Sequence, residues 1–512
     1  MRKARPKKEA ASSNLQAISI EPAPAETIPR YAPVVLLAVF ALQMIVACGL
    51  KSPTFDETGD IASGLSYLQN RSIVLNLQHP PLIKELSALP VWLAGIRLPG
   101  PLEVGRDRQM GAKLIQANGI DRVMWLARLP IVALSVLLGA ILFLWAREML
   151  GPRAALGALF LLAFDPVLLA HGYLSTIDVG FAAFTMLFLY LVWRRSHWAI
   201  CGVAMGLLLA AKFTAGIVVL VAVGLMLYDR RKLKELFLMG LVATVVLQIL
   251  YFSPSVLYEY LAGMRMVNRD HNPNYEVFMG GEFAQRFTSY FAVAWLLKEP
   301  IATLIASAIG VWMMARGKSR TLLYLLATPV ALFLAHTLWA DGLGIRYLIP
   351  ALPFGFLLGG VALSRMPRWA AATLAVWVVV AAIGIWPDHL SYFNESACLL
   401  NDPSKLGFDG GSRCGIYWLD DSNVDWGQGY KQLKRWSEEH AGGRTINLSG
   451  FGSFPPAAYN LPVRDIQEIP RTPQPGLWAF SAHTVARLPD TWLHTMQPTA
   501  IVGHSIYVYD VK

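Results

Sequence analysis

Long apolar blocks, separated by short polar segments, fill this chain from about residue 33 to residue 387. Within each block the apolar residues are nearly continuous instead of marking one amphipathic face, which is typical of helices surrounded by lipid. The pattern predicts eleven membrane spans, near residues 33–50, 123–146, 154–172, 174–193, 198–211, 213–228, 235–253, 291–314, 321–339, 345–363 and 369–387. The predicted fold class is therefore an all-α polytopic membrane domain.

Some apolar stretches depart from a simple series of spans. The blocks 198–211 and 213–228 are short for a bilayer of about 30 Å, so they are expected to be tilted, partly re-entrant or one broken unit. A stretch at 86–98 is too short to cross and is expected to form an interfacial helix. Asp165 precedes Pro166 inside a block, which predicts a capped kink.

The composition supports a membrane protein and changes the meaning of its positive charge. Of the 512 residues, 55% are hydrophobic and 15% are charged, whereas soluble proteins carry about 25% charged residues. The net charge of +10 comes largely from clusters at the ends of apolar blocks. Such clusters are topology signals that also attract anionic lipids, so membrane lipids are expected partners and nucleic acid is not.

The basic clusters also predict which side each loop faces. With a cytoplasmic N-terminus and an odd number of spans, every short inner loop is basic, as the positive-inside rule requires. These loops contain Arg147 and Arg153, Arg194 and Arg195, Arg230 to Lys234, Arg316 to Arg320, and Arg365 and Arg368. The large loop 51–122, the loop 254–290 and everything after residue 388 would then lie outside the cytoplasm.

The two ends of the chain differ from the apolar centre. Residues 1–32 are basic and then rich in Ala, Pro, Ser and Glu, which predicts a disordered cytoplasmic tail before the membrane domain of residues 33–387. Residues 388–512 contain helical material around 427–440 and strand-like pieces at 476–481 and 500–511, which predicts a small extracytoplasmic α/β domain. Cys398 and Cys414 in this region either form a disulfide or remain free thiols.

Carboxylates and cations collect on the predicted outer side. Asp56 and Glu57 follow the first span, Asp178 lies at the outer end of the fourth, and a polar, aromatic-rich segment runs from Asp420 to Trp426. The cations are His79, Lys84, Lys212, Arg265, Arg269, His271, Lys298 and Arg346. A lipid-linked phosphate donor needs positive charge to hold its phosphate, and an acceptor hydroxyl needs a carboxylate that takes its proton.

Each candidate also has a purely structural interpretation. The Asp56–Glu57 pair could be solvated in a loop, and Asp178 could cap a helix. Lys212 and Arg346 could extend along the apolar surface to the membrane interface.

Several segments together resemble the protein O-mannosyltransferase-like enzymes, glycosyltransferase family 39 of the GT-C fold. The first-loop motif FDETGD…GLSYL…QHPPLIKEL supplies Asp56, Glu57, Gly64, Tyr67, His79, Pro80, Pro81, Leu82 and Lys84. AHGYLSTID ends at Asp178, and GLLLAAKFTA contains Lys212. WLLKEP, GIRYLIPALP and DSNVDWGQGYKQLKRW also resemble family segments and follow in the family's order, and the last is typical of bacterial members with a C-terminal cap. The lipid A aminoarabinose transferases are similar in fold, but have Glu-Lys where this chain has Gln78-His79.

The resemblance implies an inverting glycosyltransferase in the inner membrane of a bacterium. The donor would be a sugar on a polyprenyl phosphate, with mannose favoured, and the acceptor a protein, lipid or glycan hydroxyl. Asp56 would be the general base, and Glu57 and Asp178 would orient the acceptor or the sugar. Lys212, Arg346 and His79 or Lys84 would neutralise the leaving phosphate, with His271 a further candidate for donor binding. No cofactor is required, although Asp56 and Glu57 would be the ligands if a divalent cation were bound.

Two other classes of function remain open at this point. One is a polytopic transporter or flippase of a lipid-linked glycan, and the other is a catalytically silent membrane scaffold. Transporters place ionisable residues at mid-membrane and show repeated halves. The acidic residues of this chain lie at the ends of the predicted spans instead, which favours the transferase.

Overall fold

The computed structural model describes residues 28–269, 274–316 and 320–512. The predicted disordered tail therefore lies almost entirely outside the described residues, and so does part of the basic loop that follows residue 316.

The described part of residues 28–387 is mostly helical. Its helices and its short hairpin are α1 (Ala32–Leu50), α2 (Phe55–Asn70), α3 (Leu82–Leu93), α4 (Asp107–Ala117), α5 (Ile120–Leu150), α6 (Pro152–Ala163), α7 (Pro166–His171), α8 (Asp178–Trp193), α9 (Trp198–Leu209), α10 (Ala215–Tyr228), α11 (Leu233–Tyr251), α12 (Val256–Arg269), β1 (Val277–Met279), β2 (Glu282–Ala284), α13 (Tyr290–Lys298), α14 (Ile301–Ala315), α15 (Arg320–Trp339), α16 (Leu352–Arg365) and α17 (Arg368–Gly384).

Apolar helices lie where the sequence predicts spans. By length and composition, α1, α5, α11 and α15 can each cross a membrane, and the bent pair α13 and α14 adds a fifth if it is counted as one span. The other predicted spans coincide with the shorter apolar helices α6, α8, α9, α10, α16 and α17. The chain is an integral membrane protein, and the number of eleven crossings stays a prediction.

Prolines break two of the predicted spans. The span predicted at 291–314 is two helices that meet at 110°, because Pro300 lacks an N–H and holds Glu299 in an extended conformation. The span predicted at 154–172 ends at Ala163, and α7 begins after Asp165. The carboxylate of Asp165 accepts a hydrogen bond from the Leu168 N–H at 2.8 Å, which confirms the predicted capped kink.

The long segment between the first two long helices is itself folded into α2, α3 and α4. The helix expected at 86–98 begins earlier, as α3, with Val91 buried on one side and Leu93 exposed on the other. Helix α2 lies against both neighbours so closely that a Cβ on Gly64 would be 2.0 Å from the Lys84 carbonyl oxygen in α3. A Cβ on Gly111 in α4 would be 1.8 Å from the carbonyl of Thr58. These contacts fix the helix that carries Asp56.

Residues 388–512 combine short helices with one sheet. The elements are α18 (Ser396–Leu399), α19 (Gly415–Trp418), α20 (Tyr430–His440), β3 (Ile446–Ser449), β4 (Val463–Asp465), β5 (Gly476–Ser481), α21 (Ala482–Arg487), α22 (Trp492–Thr495), β6 (Ala500–Val502) and β7 (Ile506–Val511). The sheet order is β4-β3-β5-β7-β6, with β3 parallel to β4 and β5, and β7 antiparallel to β5 and β6. Cys398 and Cys414 form a disulfide.

The sheet region packs directly on the membrane helices. Trp426, Phe480 and Tyr509 belong to the same continuous buried apolar cluster as Phe40 of α1 and Leu162 of α6. The Phe55 N–H at the start of α2 donates to the carbonyl of Trp426 at 2.8 Å. The C-terminal region therefore packs against the start of α2 and is held there by this hydrogen bond.

Candidate active site

A polar cavity of about 180 Å³ lies between α2, α3, α4 and the ends of later membrane helices. Its lining contains the carboxylates of Asp56, Asp60, Asp107 and Asp178 and the basic side chains of His79, Lys84, Arg108, Lys212 and Arg346. Asn76, Gln78, Thr176, Ile177 and Tyr347 complete it. The cavity thus brings together six of the eight residues predicted from the sequence.

Asp56 lies in the first turn of α2, between two guanidinium groups. Its Oδ2 is 2.6 Å from Nη1 of Arg346, and its Oδ1 is 3.5 Å from Nη2 of Arg108. Burial alone would raise the pKa of Asp56, but the charges of Arg346 and Arg108 reverse that effect and hold it below its usual value. The N-terminus of α2 also favours a negative charge. Asp56 is therefore an ionised carboxylate that is still one-quarter exposed to the cavity.

Asp178 and Lys212 form the second charged pair of the cavity. Asp178 is the first residue of α8, and its Oδ1 accepts a hydrogen bond from Lys212 Nζ at 2.6 Å. Lys212 lies between α9 and α10, and its ammonium group is 4.9 Å from the ring centre of Tyr347. Both charged side chains are almost fully buried, so the pair presents a fixed ammonium group to the cavity.

Arg346 is held on a rigid support. It lies in a short 3-10 helix, Ile345–Leu348, whose first N–H donates to Asn423 Oδ1 at 3.0 Å. Its guanidinium group is 4.3 Å from the ring centre of Trp426. Its Nε is buried and has no hydrogen-bond partner among the residues that the structure describes. One donor of Arg346 thus remains available while another holds Asp56.

His79 lines the cavity without carrying a charge. Burial is the main cause that lowers its pKa to about 3, and the nearby charges of Lys212 and Lys84 contribute to this lowering. Its buried Nδ1 has no hydrogen-bond partner within the described part of the chain. His79 can therefore bind a ligand by hydrogen bonding, but it is not the cation that the sequence suggested.

Lys84 faces Asp60 rather than Asp56. Its Nζ donates to the carbonyl of Gln78 at 2.6 Å and lies 3.6 Å from Asp60 Oδ1. Burial raises the pKa of Asp60 to about 7 although Lys84 opposes the rise, and the charges of Asp56 and Asp107 add to it. Asp60 therefore changes its protonation near neutral pH.

Glu57 does not share the position of Asp56, although the two residues are adjacent. Its carboxylate is fully buried and accepts hydrogen bonds from Arg128 Nε at 2.8 Å and Nη2 at 2.7 Å. The N–H groups of Thr54 and Ser175 donate to it at 2.8 and 2.9 Å. Glu57 does not line the cavity that the structure describes. Its hydrogen bonds tie α2 to α5 and to the segment before α8. Because its oxygens already accept these bonds, Glu57 is not placed to share a metal ion with Asp56.

The remaining candidates lie elsewhere. His271 is outside the described residues. Lys298 is buried and donates to the carbonyls of Leu390 and Asn423 at 2.8 and 2.7 Å, so its contacts are structural. Arg265 and Arg269 are on exposed positions of α12. In residues 28–269, 274–316 and 320–512, no group of three or more His, Cys, Asp or Glu could hold a metal ion.

The structure adds cavity residues that sequence reasoning missed. Asp60 lies four residues after Asp56, so helical spacing could have indicated that both carboxylates share one face of α2. Thr176, in the STID motif, has a fully buried hydroxyl without a described partner. Asp107 and Arg108 come from α4, and no local pattern marks them.

Removal of Arg128 should destabilise the protein strongly. Arg128→Met would leave the Glu57 carboxylate buried without its cation, which costs about 3–5 kcal/mol of unfolding free energy. The double variant Glu57→Gln/Arg128→Met should regain part of that loss, because no uncompensated charge remains. Arg147→Met, at an exposed position of the same helix, is the control. Unfolding in detergent measures all four proteins, and equal stability of the Arg128→Met and Arg147→Met variants would contradict this role.

Asp60 should make stability depend on pH in a defined direction. Its folded pKa of about 7 exceeds the unfolded value, so stability should fall as pH rises from about 4 to about 7. Asp60→Asn should therefore be more stable relative to wild type at pH 8 than at pH 5, by roughly 1–3 kcal/mol. Unfolding of both proteins at the two pH values measures this, with Asp490→Asn, at an exposed position, as the control. If the stability difference between Asp60→Asn and wild type were the same at both pH values, the pKa of Asp60 would not be raised in the folded protein.

The chain matches known proteins both in a sequence family model and in three-dimensional structure. Residues 114–258 match the family model described as dolichyl-phosphate-mannose-protein mannosyltransferase. The structure is similar to that of ArnT from Cupriavidus metallidurans in the apo state, with a TM-score of 0.51, 16% identity, and coverage of 93% of this chain and 97% of that one.

Two further structures match more weakly. The same ArnT bound to undecaprenyl phosphate gives a TM-score of 0.48, 15% identity, and coverage of 94% and 98% of the two chains. The Archaeoglobus fulgidus oligosaccharyltransferase in the apo form gives 0.46, 15% identity, and coverage of 69% and 55%. No curated protein sequence matches the chain significantly. The resemblance noted in the sequence is confirmed: residues 114–258 match the mannosyltransferase family model, and the chain has the GT-C glycosyltransferase membrane fold.

Proposed function

We propose that this protein is an inverting glycosyltransferase that moves a sugar from a polyprenyl-phosphate donor to an acceptor hydroxyl. The observation that carries the proposal is the ionised Asp56 carboxylate, held by two guanidinium groups and still open to the cavity. The family model on residues 114–258, whose description names a dolichyl-phosphate mannose donor, supports the choice of substrate class.

Asp56 serves as the general base in this scheme. The acceptor O–H donates to Asp56, and its oxygen attacks the anomeric carbon as the bond from that carbon to the phosphate oxygen breaks. The acceptor proton moves to Asp56, and the electron pair leaves on the polyprenyl phosphate. Attack opposite the leaving group inverts the anomeric configuration. A base near the acceptor contributes about 10²- to 10⁴-fold to such a reaction.

The cations stabilise the leaving phosphate. Arg346 can donate from Nε, which has no partner in the described part of the chain, without releasing Asp56. The Lys212 ammonium group is fixed by Asp178. Preorganised donors of this kind act where charge develops in the transition state, so a general acid is not needed. Asp178 therefore has a positioning role towards Lys212.

The other polar groups of the cavity lining suit the transferred sugar. Asp60 and Asp107 can accept hydrogen bonds from sugar hydroxyls, and Lys84 can donate further ones. The Thr176 hydroxyl, which has no partner among the described residues, can donate or accept. A hexosyl or pentosyl unit fits this chemistry, and the family description favours mannose. The acceptor is a protein, lipid or glycan hydroxyl.

The reaction would take place on the outer face of a bacterial inner membrane. Basic residues lie at the ends of apolar helices opposite the cavity, among them Arg153 in the first turn of α6, Arg194 just after α8 and Arg365 at the end of α16. By the positive-inside rule these ends and the N-terminus are cytoplasmic. The cavity and residues 388–512 are then extracytoplasmic.

Asp56→Asn tests the proposal directly. The amide cannot take the acceptor proton, so transfer of labelled sugar from polyprenyl phosphate in membranes should fall by about 10²-fold or more. Asp490→Asn, which changes an exposed aspartate in the C-terminal region, should transfer at the wild-type rate. Unfolding temperatures should show that both variants remain folded. Transfer by folded Asp56→Asn at the wild-type rate would rule out Asp56 as the base.

A further inference from the structure

Exposed large apolar side chains in the C-terminal region are concentrated in one loop. The loop between the bonded residues Cys398 and Cys414, called the 398–414 loop below, exposes Leu399, Leu400, Leu406 and Phe408 by 54, 70, 40 and 68%. Elsewhere in residues 388–512, all of which the structure describes, only Tyr417 and Ile501 are large apolar residues with comparable exposure. Soluble surfaces rarely gather apolar side chains in this way.

A disulfide, a backbone hydrogen bond and ion pairs hold the base of the 398–414 loop in place. Both cysteines are buried, and the Gly411 N–H donates to the carbonyl of Phe393 at 2.9 Å. The carboxylate of Asp409 pairs with Arg413 at 3.0 Å and with His504 at 3.1 Å. The loop therefore presents its apolar side chains from a fixed support.

The position of the 398–414 loop relates it to the membrane. The carbonyl oxygen of Phe408 lies so close to Gly384, the last residue of α17, that a Cβ on Gly384 would be 2.0 Å away. The same end of α17 exposes Ile383 by 57% and is followed by Trp386, which is 44% exposed. Further along α17, Val376 is 62% exposed. The apolar surface of the loop therefore continues the surface that α17 presents to lipid.

We propose that the 398–414 loop inserts its leucines and Phe408 into the interfacial layer of the leaflet in which α17 ends. The occupant of this apolar surface is phospholipid. Tryptophan is enriched at the level where headgroups meet acyl chains, and Trp386 marks that level beside the loop. Apolar side chains that meet this boundary bind it in proportion to the area that they bury.

Insertion would fix the C-terminal region relative to the membrane surface. His504, in the turn between β6 and β7, contacts Asp409 of the loop and Asp388, which pairs with Lys51 at the end of α1. The loop is thus joined both to the sheet and to the first membrane helix. This role is independent of the sugar-transfer chemistry, because none of these residues lines the described cavity.

Lipid quenching tests the proposal. A fluorescent amino acid is introduced genetically at Phe408 in one full-length variant and at Leu400 in another, which leaves the cysteines untouched. A third variant carries it at Glu438, an exposed position of α20, as the control. Each protein is reconstituted in nanodiscs of phosphatidylcholine and phosphatidylglycerol, with or without bromine on the upper part of the acyl chains.

The proposal expects brominated lipid to reduce the emission at positions 408 and 400, and to leave the emission at 438 unchanged. Emission at 408 and 400 should also lie to the blue of that at 438. Unfolding temperatures equal to the wild-type value show that the labelled proteins are folded. If brominated lipid quenches positions 408 and 400 no more than position 438, the loop is outside the membrane and the proposal is wrong.

Discussion

The buried ion pair between Arg128 and Glu57 is the interaction on which the site depends. Arg128, from α5, also donates to the carbonyls of Cys48, Lys51 and Ser52 at 2.9, 3.0 and 2.8 Å. Arg128 therefore supplies hydrogen bonds to the backbone carbonyls where α1 ends, and through Glu57 it holds the start of α2 in place. Buried charges in a membrane protein need such complete pairing, since an unpaired one is costly. With Glu57 fixed in this way, the preceding residue, Asp56, points in a different direction from the helix and faces the cavity.

The cavity itself combines strong charges in nearly balanced pairs. Arg346 and Arg108 flank Asp56, Lys212 meets Asp178, and Lys84 approaches Asp60. Balanced pairing lets a membrane protein keep these charges without a substrate. In the proposed reaction an arriving phosphate would compete with these carboxylates for the same donors. Arg346 Nε, which has no hydrogen-bond partner among the described residues, is then the donor available to it.

The sequence predicted the positions of the apolar helices well, because a block of lipid-facing residues marks a helix whatever it packs against. It also predicted α20, β5 and the Asp165 cap, which depend on local pattern. It missed the break at Pro300 within a predicted span and the turn that divides residues 500–511 into β6 and β7.

In the site, motifs indicated Asp56, Asp178, Lys212 and Arg346. They could not separate the roles of Asp56 and Glu57, since Arg128, the partner of Glu57, is 71 residues further along the chain. Nor could they place Arg108, which enters the cavity only through the packing of α4 on α2.

Transfer of sugar from a lipid phosphate in the cavity can be measured with purified protein in liposomes, supplied with labelled polyprenyl-phosphate sugars and a mixture of acceptors. We expect that one donor is consumed, that free polyprenyl phosphate appears in equal amount, and that the sugar in the product has the inverted anomeric configuration. Intact donor that only moves from one leaflet to the other would contradict sugar transfer and establish a flippase instead.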